Sequence, residues 1–241
     1  MNKNVSSKQA MSPEVKRGVI AIIVKGIFGA LFIAALLMLA ADRWDWVWGW
    51  VMVVIFTIAA TMQVILLLPT NPALLAERSK GLREQGALLW DQIITSFAVG
   101  ILPIAAWIVA ALHVRFNWSP AMPLALHIAG MIGFVLAWVL VIWATYSNRF
   151  FTTTVRIQKD HAVQTGGPYR YVRHPGYVTA ILYNLATPFL LGSWWALIPM
   201  IFVPPLMVLR TALEDKLLQE QLAGYKEYAA RVRYRLLPGL W

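Results

Sequence analysis

The residues able to do chemistry fall in two places. Residues 146–177 carry Asn148, Arg149, Arg156, His161, Gln164, Tyr169, Arg173 and His174, and further on Arg210 and Glu214 stand four apart. That spacing puts Arg210 and Glu214 on one helix face. Taken alone, the pair reads equally well as a surface ion pair or as part of a site at the membrane boundary. The chain shows no paired acids, catalytic triad, CxxC, HExxH, P-loop or GxGxxG pattern. It has no cysteine, so there is no thiolate nucleophile and no Cys-based metal site. Asp160 is the only acid in the loop that holds His161 and His174, so no metal site is expected. What remains is a set of groups that bind and orient. Arginine suits a carboxylate, glutamate an ammonium, and tyrosine faces a cation. Methyl transfer from a sulfonium fits that set, because the donor carries its own leaving group and catalysis is largely in-line positioning.

The densest part is Gly167-Pro168-Tyr169-Arg170-Tyr171-Val172-Arg173-His174-Pro175-Gly176-Tyr177. Its prolines fix the backbone and remove donors, so it is expected to be a shaped loop rather than helix interior. A basic loop lying on anionic lipid would explain the arginines. It would not explain two histidines, Gly166-Gly167-Pro168 and His174-Pro175 together. His113 and His127 fall on the opposite side and are expected to be structural.

The elements that position these residues are membrane helices. The chain of 241 residues is 59% hydrophobic and 13% charged, against about 25% charged in soluble domains. Apolar runs long enough to span a bilayer cover 18–41, 46–68, 93–112 and 124–145. A longer apolar region, 178–213, is broken at Gly192-Ser193 and reads as a hairpin of two helices. The expected fold is therefore an all-α integral membrane protein of about six transmembrane helices, the last two a hairpin, with a cytoplasmic cap. It reads as one domain over 1–241, with N-terminal helices in 1–145 and the binding region in 146–241.

The net charge of +10 is an orientation signal rather than a nucleic-acid signal. With a cytoplasmic N-terminus, 18 of the 21 Lys and Arg lie inside. Both termini are then cytoplasmic, and the surplus charge faces anionic membrane lipid. No nucleic-acid partner is expected. Trp44, Trp46, Trp48 and Trp50, with Trp194 and Trp195, read as an aromatic belt, and Lys25 as a snorkelling side chain. The 69–91 segment reads as an interfacial amphipathic helix near 74–83, or as a wall of the substrate entrance. Tyr225, Tyr228, Arg231, Arg233 and Tyr234 read as mostly docking surface.

Across 146–241 the ordered motifs resemble the isoprenylcysteine carboxyl methyltransferase and phospholipid methyltransferase superfamily, most closely its bacterial branch. They are His161-Ala162-Val163-Gln164-Thr165, Gly167-Pro168-Tyr169 and Arg173-His174-Pro175-Gly176-Tyr177. Arg210 before Glu214-Asp215 follows, then Tyr225-Lys226-Glu227-Tyr228 before Arg231-Val232. The resemblance implies S-adenosylmethionine bound on the cytoplasmic side, with S-adenosylhomocysteine as product. It implies donor contacts from His161, Ala162, Val163, Gln164, Tyr169, His174, Pro175, Gly176, Tyr177 and Glu214. Arg210 matches an arginine at the acceptor, and Arg173 would orient the reacting groups. A lipophilic small molecule or lipid, most simply a carboxylate, would enter sideways from the bilayer of a bacterial inner membrane. The chain departs from the superfamily's pattern at Asp215, where a second glutamate is common. It departs again at Leu222-Ala223-Gly224 and at Thr179. Two other classes stay open on the residues alone: an NADPH-dependent membrane reductase of the sterol-reductase type, and a non-catalytic membrane scaffold. Retention of S-adenosylmethionine or of NADPH separates the first two.

Overall fold

A computed structural model describes residues 11–83 and 86–241, so Lys3 and Lys8 of the charge argument lie outside the described residues. These residues form helices and loops, with no strand among them. The long helices are α1 (Pro13–Ala41), α2 (Val47–Thr70), α5 (Leu102–Phe116), α6 (Leu124–Ser147), α7 (Pro175–Leu191) and α9 (Val203–Gln221). Shorter ones are α3 (Pro72–Arg78), α4 (Leu89–Thr95), α8 (Leu197–Met200) and α10 (Tyr225–Arg231). A π-helical turn, Ser96–Ile101, joins α4 to α5 without a break.

Five helical stretches among the described residues are long and apolar enough to cross a membrane. They are Pro13–Ala41, Val47–Thr70, Leu89–Phe116, Leu124–Ser147 and Leu197–Gln221. The chain is an integral membrane protein on that ground. α7, with 17 residues, is shorter than these. The expected break at Gly192 is where α7 ends: Gly192 adopts φ 75°. A Cβ there would lie 2.2 Å from the His127 ring, so glycine is required on both steric and conformational grounds.

The tightest helix pair is α6 with α7. At Gly130 a Cβ would sit 2.3 Å from the Leu190 nitrogen, and at Gly133 3.2 Å from Ala186. Small residues let the two backbones approach, the usual device where lipid supplies no hydrophobic drive between helices. His127 locks the crossing, its Nδ1 3.0 Å from the Leu190 carbonyl and its ring stacked on Trp48. A core of Leu37, Met38, Met52, Phe134, Leu190 and Met207 ties five of the long helices together.

Two expectations are corrected here. Trp46 is buried in the core and Trp48 stacks on His127, so only Trp44 and Trp50 of that cluster face outward in the manner of a belt. Tryptophan at an interface end can equally fill the gap between helices, and spacing alone does not separate the two. The 72–78 helix does not lie free on the surface either. Leu74 and Leu75 are buried against Val19 and Leu67, and a Cβ on Gly18 would meet Ala76 at 2.5 Å. Lys25 is exposed, and its ammonium extends to donate to the Ser79 carbonyl at the end of α3. That places a cation at a helix C-terminus, where the dipole favours it.

Candidate functional site

The 148–174 loop, the helix starts around it and the C-terminal tail close one end of the bundle over a cavity of about 460 Å³. That volume lies in the range of small-molecule sites. Gly167 opens the short 3-10 turn Gly167–Arg170 with φ 57°, pressed so close that a Cβ would strike the Ser147 hydroxyl at 2.1 Å. At Gly176 a Cβ would meet the Phe151 ring at 2.7 Å. His174 then starts α7, with Pro175 at the first helical position, where its missing N–H costs nothing. The backbone N–H groups of Arg173 and His174 donate to the carbonyls of Tyr234 and Arg235. The tail thus holds the motif in place.

All twelve residues assigned to the donor or the acceptor from the sequence border this one cavity, whereas Arg149 does not and lies over the Phe150 ring. The twelve are His161, Ala162, Val163, Gln164, Tyr169, Arg173, His174, Pro175, Gly176, Tyr177, Arg210 and Glu214. Two buried charge clusters organise them. The first is centred on Asp215, which is fully buried. It accepts hydrogen bonds from Arg173 Nη1 at 2.9 Å, Arg235 Nε at 2.9 Å, Gln219 Nε2 at 2.8 Å and the Tyr225 hydroxyl at 3.0 Å. His174 Nε2 lies 3.2 Å from it. Arg173 also donates to the Arg233 carbonyl, so its guanidinium is largely committed to holding the tail and Asp215.

The second cluster is centred on Arg210. Its Nε donates to Asp91 Oδ1 at 2.6 Å and its Nη2 to the Thr153 carbonyl at 2.9 Å, and its guanidinium lies over the Tyr177 ring. Asp91 uses its other oxygen to accept from the Val155 N–H at 2.8 Å. Arg210 Nη1 is left without a protein partner among the described residues, on the cavity wall. Glu214 accepts from the Tyr177 hydroxyl and sits 3.5 Å from His174 Nδ1, all through Oε2. Its Oε1 has no protein partner among the described residues. One guanidinium nitrogen and one carboxylate oxygen therefore stand available on the same wall, a turn apart.

His174 lies between Glu214 and Asp215 and stacks on Tyr177. Burial opposes its charged form, but the hydrogen bonds to the two carboxylates prevail and raise its pKa above the ordinary histidine value. Burial pushes His161 the other way, lowering its pKa. Its ring packs on Phe150, and its Nδ1 is buried without a partner among the described residues. Tyr169 accepts from Asn148 through its hydroxyl, and burial raises its pKa.

Away from the charges the cavity becomes apolar and follows helix faces. Phe56 and Gln63 come from α2, Pro103 and Trp107 from α5, and Ala137, Trp138 and Val141 from α6. Thr179, Ala180, Tyr183 and Asn184 continue along α7. A polar, charged end thus leads into a part of the cavity walled by α2, α5, α6 and α7.

Residues 128–220 match the isoprenylcysteine carboxyl methyltransferase (ICMT) family. The match supports the superfamily whose motifs the chain carries, and it runs from within α6 to near the end of α9, with Arg173, Arg210, Glu214 and Asp215 inside it. No curated protein matches the chain. The ICMT-family segment alone does not complete the site. Asp91, Arg78 and the Phe56, Gln63 and Trp107 walls come from before it, and Tyr225, Tyr228 and Arg235 from after it.

Sequence reasoning missed several of these. Asp91 is only the last residue of the 69–91 segment in the sequence reading, and the structure places it in the first turn of α4. The one available signal was a lone carboxylate opening an apolar span while a lone arginine closes another. Tyr225 and Tyr228 are core rather than docking surface. The Tyr228 hydroxyl donates to the Tyr169 carbonyl at 2.8 Å, and both rings are buried with Leu218 and Leu222. The 69–91 segment does supply a wall of the cavity, through Arg78, which donates to the Phe151 carbonyl and lies over its ring.

Proposed function

We propose that this protein is an S-adenosylmethionine-dependent membrane methyltransferase acting on a lipophilic acceptor, most simply a carboxylate. The observation that carries the reading is the pairing of a free Glu214 oxygen with a free Arg210 nitrogen at the polar end of a cavity that continues between helices. The ICMT-family match supports the reaction class.

The residues present fit such a donor. Glu214 Oε1 can accept from an ammonium, the loop 161–164 supplies a wall for a planar base, and the Tyr169 and Tyr177 faces suit a sulfonium. When bound, the donor supplies an electrophilic methyl group on a leaving thioether. The chain's own residues do the rest. Arg210 Nη1 binds the acceptor carboxylate and turns one oxygen toward the donor side. Asp91 and the Thr153 carbonyl hold that guanidinium still, so little reorganisation is needed on binding. With the donor in place, its methyl would pass from sulfur to the carboxylate oxygen and leave a neutral thioether, so that both charges would be lost together. No proton leaves a carboxylate acceptor, so this reaction needs no general base. His174 stays between Glu214 and Asp215 and fixes both carboxylates.

With the polar cap on the cytoplasmic face, a lipid acceptor enters between helices and never crosses water. The test is methyl transfer from methyl-labelled S-adenosylmethionine into a bacterial membrane lipid extract by the purified protein. Base-labile label in the organic phase, lost in Arg210→Ala, is the expected result. A lipid phase without label would overturn the reading.

A further inference from the structure

The cavity reaches the surface in two places. Among the described residues that line it, only Val99 and Ala162 are exposed; the others are buried or half-buried. A side chain that lines a cavity and is also open to the surroundings marks a mouth. Ala162 belongs to the loop at the charged end, where Lys159, Asp160, Thr165 and Gly166 are exposed beside it. That mouth meets water. Val99 is 55% exposed and belongs to the π-helical turn of the third apolar span. Its exposed neighbours on that span are Ile93, Phe97 and Ile101, so the second mouth meets hydrocarbon.

Packing accounts for the second mouth. The third span packs on α1 through α5, and on α9 through α4 and the π-turn. α2 packs on α1, α6 and α7. Where the third span leaves α1 for α9, Val99 lines the cavity from one side and Phe56 and Gln63 of α2 from the other. The depths agree. Val99 lies about 15 Å along its span from Leu89, while Gln63 and Phe56 lie about 10 and 21 Å back along α2 from Thr70. Leu89 and Thr70 are the ends that the 71–88 segment joins, so the three residues stand at similar height. The turn is wound wide there: the Leu102 N–H donates to the Phe97 carbonyl five residues back. Such single π-turns recur at functional sites.

We propose that the cavity is loaded through two separate mouths. The lateral one, bordered by Val99, Phe56 and Gln63, takes a long single-chain amphiphile from the bilayer. The one at Ala162 takes the water-soluble ligand. A cavity of about 460 Å³ suits one small molecule, so a long acceptor keeps its tail in the lateral mouth while its head lies at the charged end. The inference deepens the methyltransferase reading and rests on it for the identity of the water-soluble ligand. The lateral mouth does not need that reading.

The chain has no cysteine, so a single introduced thiol reports on each mouth. Val99→Cys, Ala162→Cys and a control, Ile58→Cys, are alkylated with N-ethylmaleimide in detergent micelles, and the rates are read by mass. Ile58 is exposed on α2 and does not line the cavity. Hexadecanoate at about ten times its Kd should slow Val99→Cys about tenfold, because about one site in ten then stays open. It should leave Ala162→Cys and Ile58→Cys unchanged, and S-adenosylhomocysteine should slow Ala162→Cys alone. Val99→Cys that resists alkylation without ligand, or that hexadecanoate protects no better than Ile58→Cys, would overturn the lateral mouth. Equal protection of Val99→Cys and Ala162→Cys by either ligand would overturn the separation of the two. If hexadecanoate protects Val99→Cys while S-adenosylhomocysteine protects neither mouth, the lateral mouth stands and the methyltransferase reading falls. If S-adenosylhomocysteine protects Ala162→Cys while hexadecanoate protects neither mouth, the lateral mouth alone falls.

Discussion

Arg210 pairs with Asp91, at 2.6 Å, and not with Glu214, one turn away on its own helix. The distant carboxylate releases the near one. Had Arg210 and Glu214 closed on each other, neither would have an atom to offer a ligand. Asp91 absorbs the arginine's Nε and leaves both cavity-facing groups available.

This relationship makes Asp91 a positioning residue with a stability signature. Asp91→Ala leaves a buried guanidinium without its counter-charge and should destabilise the protein by about 3–5 kcal/mol. The double variant Asp91→Leu/Arg210→Met should recover most of that loss, because replacing both partners by apolar groups removes the unpaired charge. Denaturation in mixed micelles reads both. A double variant no more stable than Asp91→Ala would contradict the account.

Asp215 gathers five side chains from the loop, α9 and the tail. Asp215→Asn should cost more than Tyr228→Phe, which removes a single hydrogen bond worth about 1 kcal/mol. The comparison of their unfolding midpoints checks whether the tail is held by charge or by isolated contacts.

His174 predicts a pH dependence of stability. Its pKa is raised in the folded protein, against hydrogen-bonded carboxylates on both sides. Its contribution is therefore complete below the unfolded value of about 6.5 and is lost as pH rises through the higher folded value. Thermal stability should fall as pH rises above about 6.5, and His174→Gln should flatten that fall. Tyr169, Tyr225 and Tyr228, whose pKa values burial raises, add a separate loss above about pH 10, where unfolded tyrosine ionises. The two losses are distinguishable by their pH windows.

Gly130→Ala tests the α6–α7 crossing. The added methyl would lie 2.3 Å from the Leu190 backbone, which cannot move without parting the helices. A cost of about 1–3 kcal/mol or more is expected. A neutral effect on the unfolding midpoint would mean that the crossing is looser than described.

Much of the arrangement was legible in the sequence because its signals are local. Apolar run lengths marked the helices, and the break at Gly192-Ser193 marked the end of α7. The HPG motif and its neighbours marked one shared cavity wall. What was not legible depends on contacts between distant elements. Nothing near Asp91 in sequence points to Arg210. Trp46, Trp48, Tyr225 and Tyr228 have the composition of interface residues, and only packing shows that they are core.

The central claim is a donor site built on Glu214, and calorimetric binding of S-adenosylhomocysteine to the purified protein tests it most directly. Micromolar binding that falls at least about tenfold in Glu214→Gln, by loss of a charge-assisted hydrogen bond, with the unfolding midpoint little changed, is the predicted result. Absence of binding by the folded protein, or binding untouched by Glu214→Gln, would contradict it.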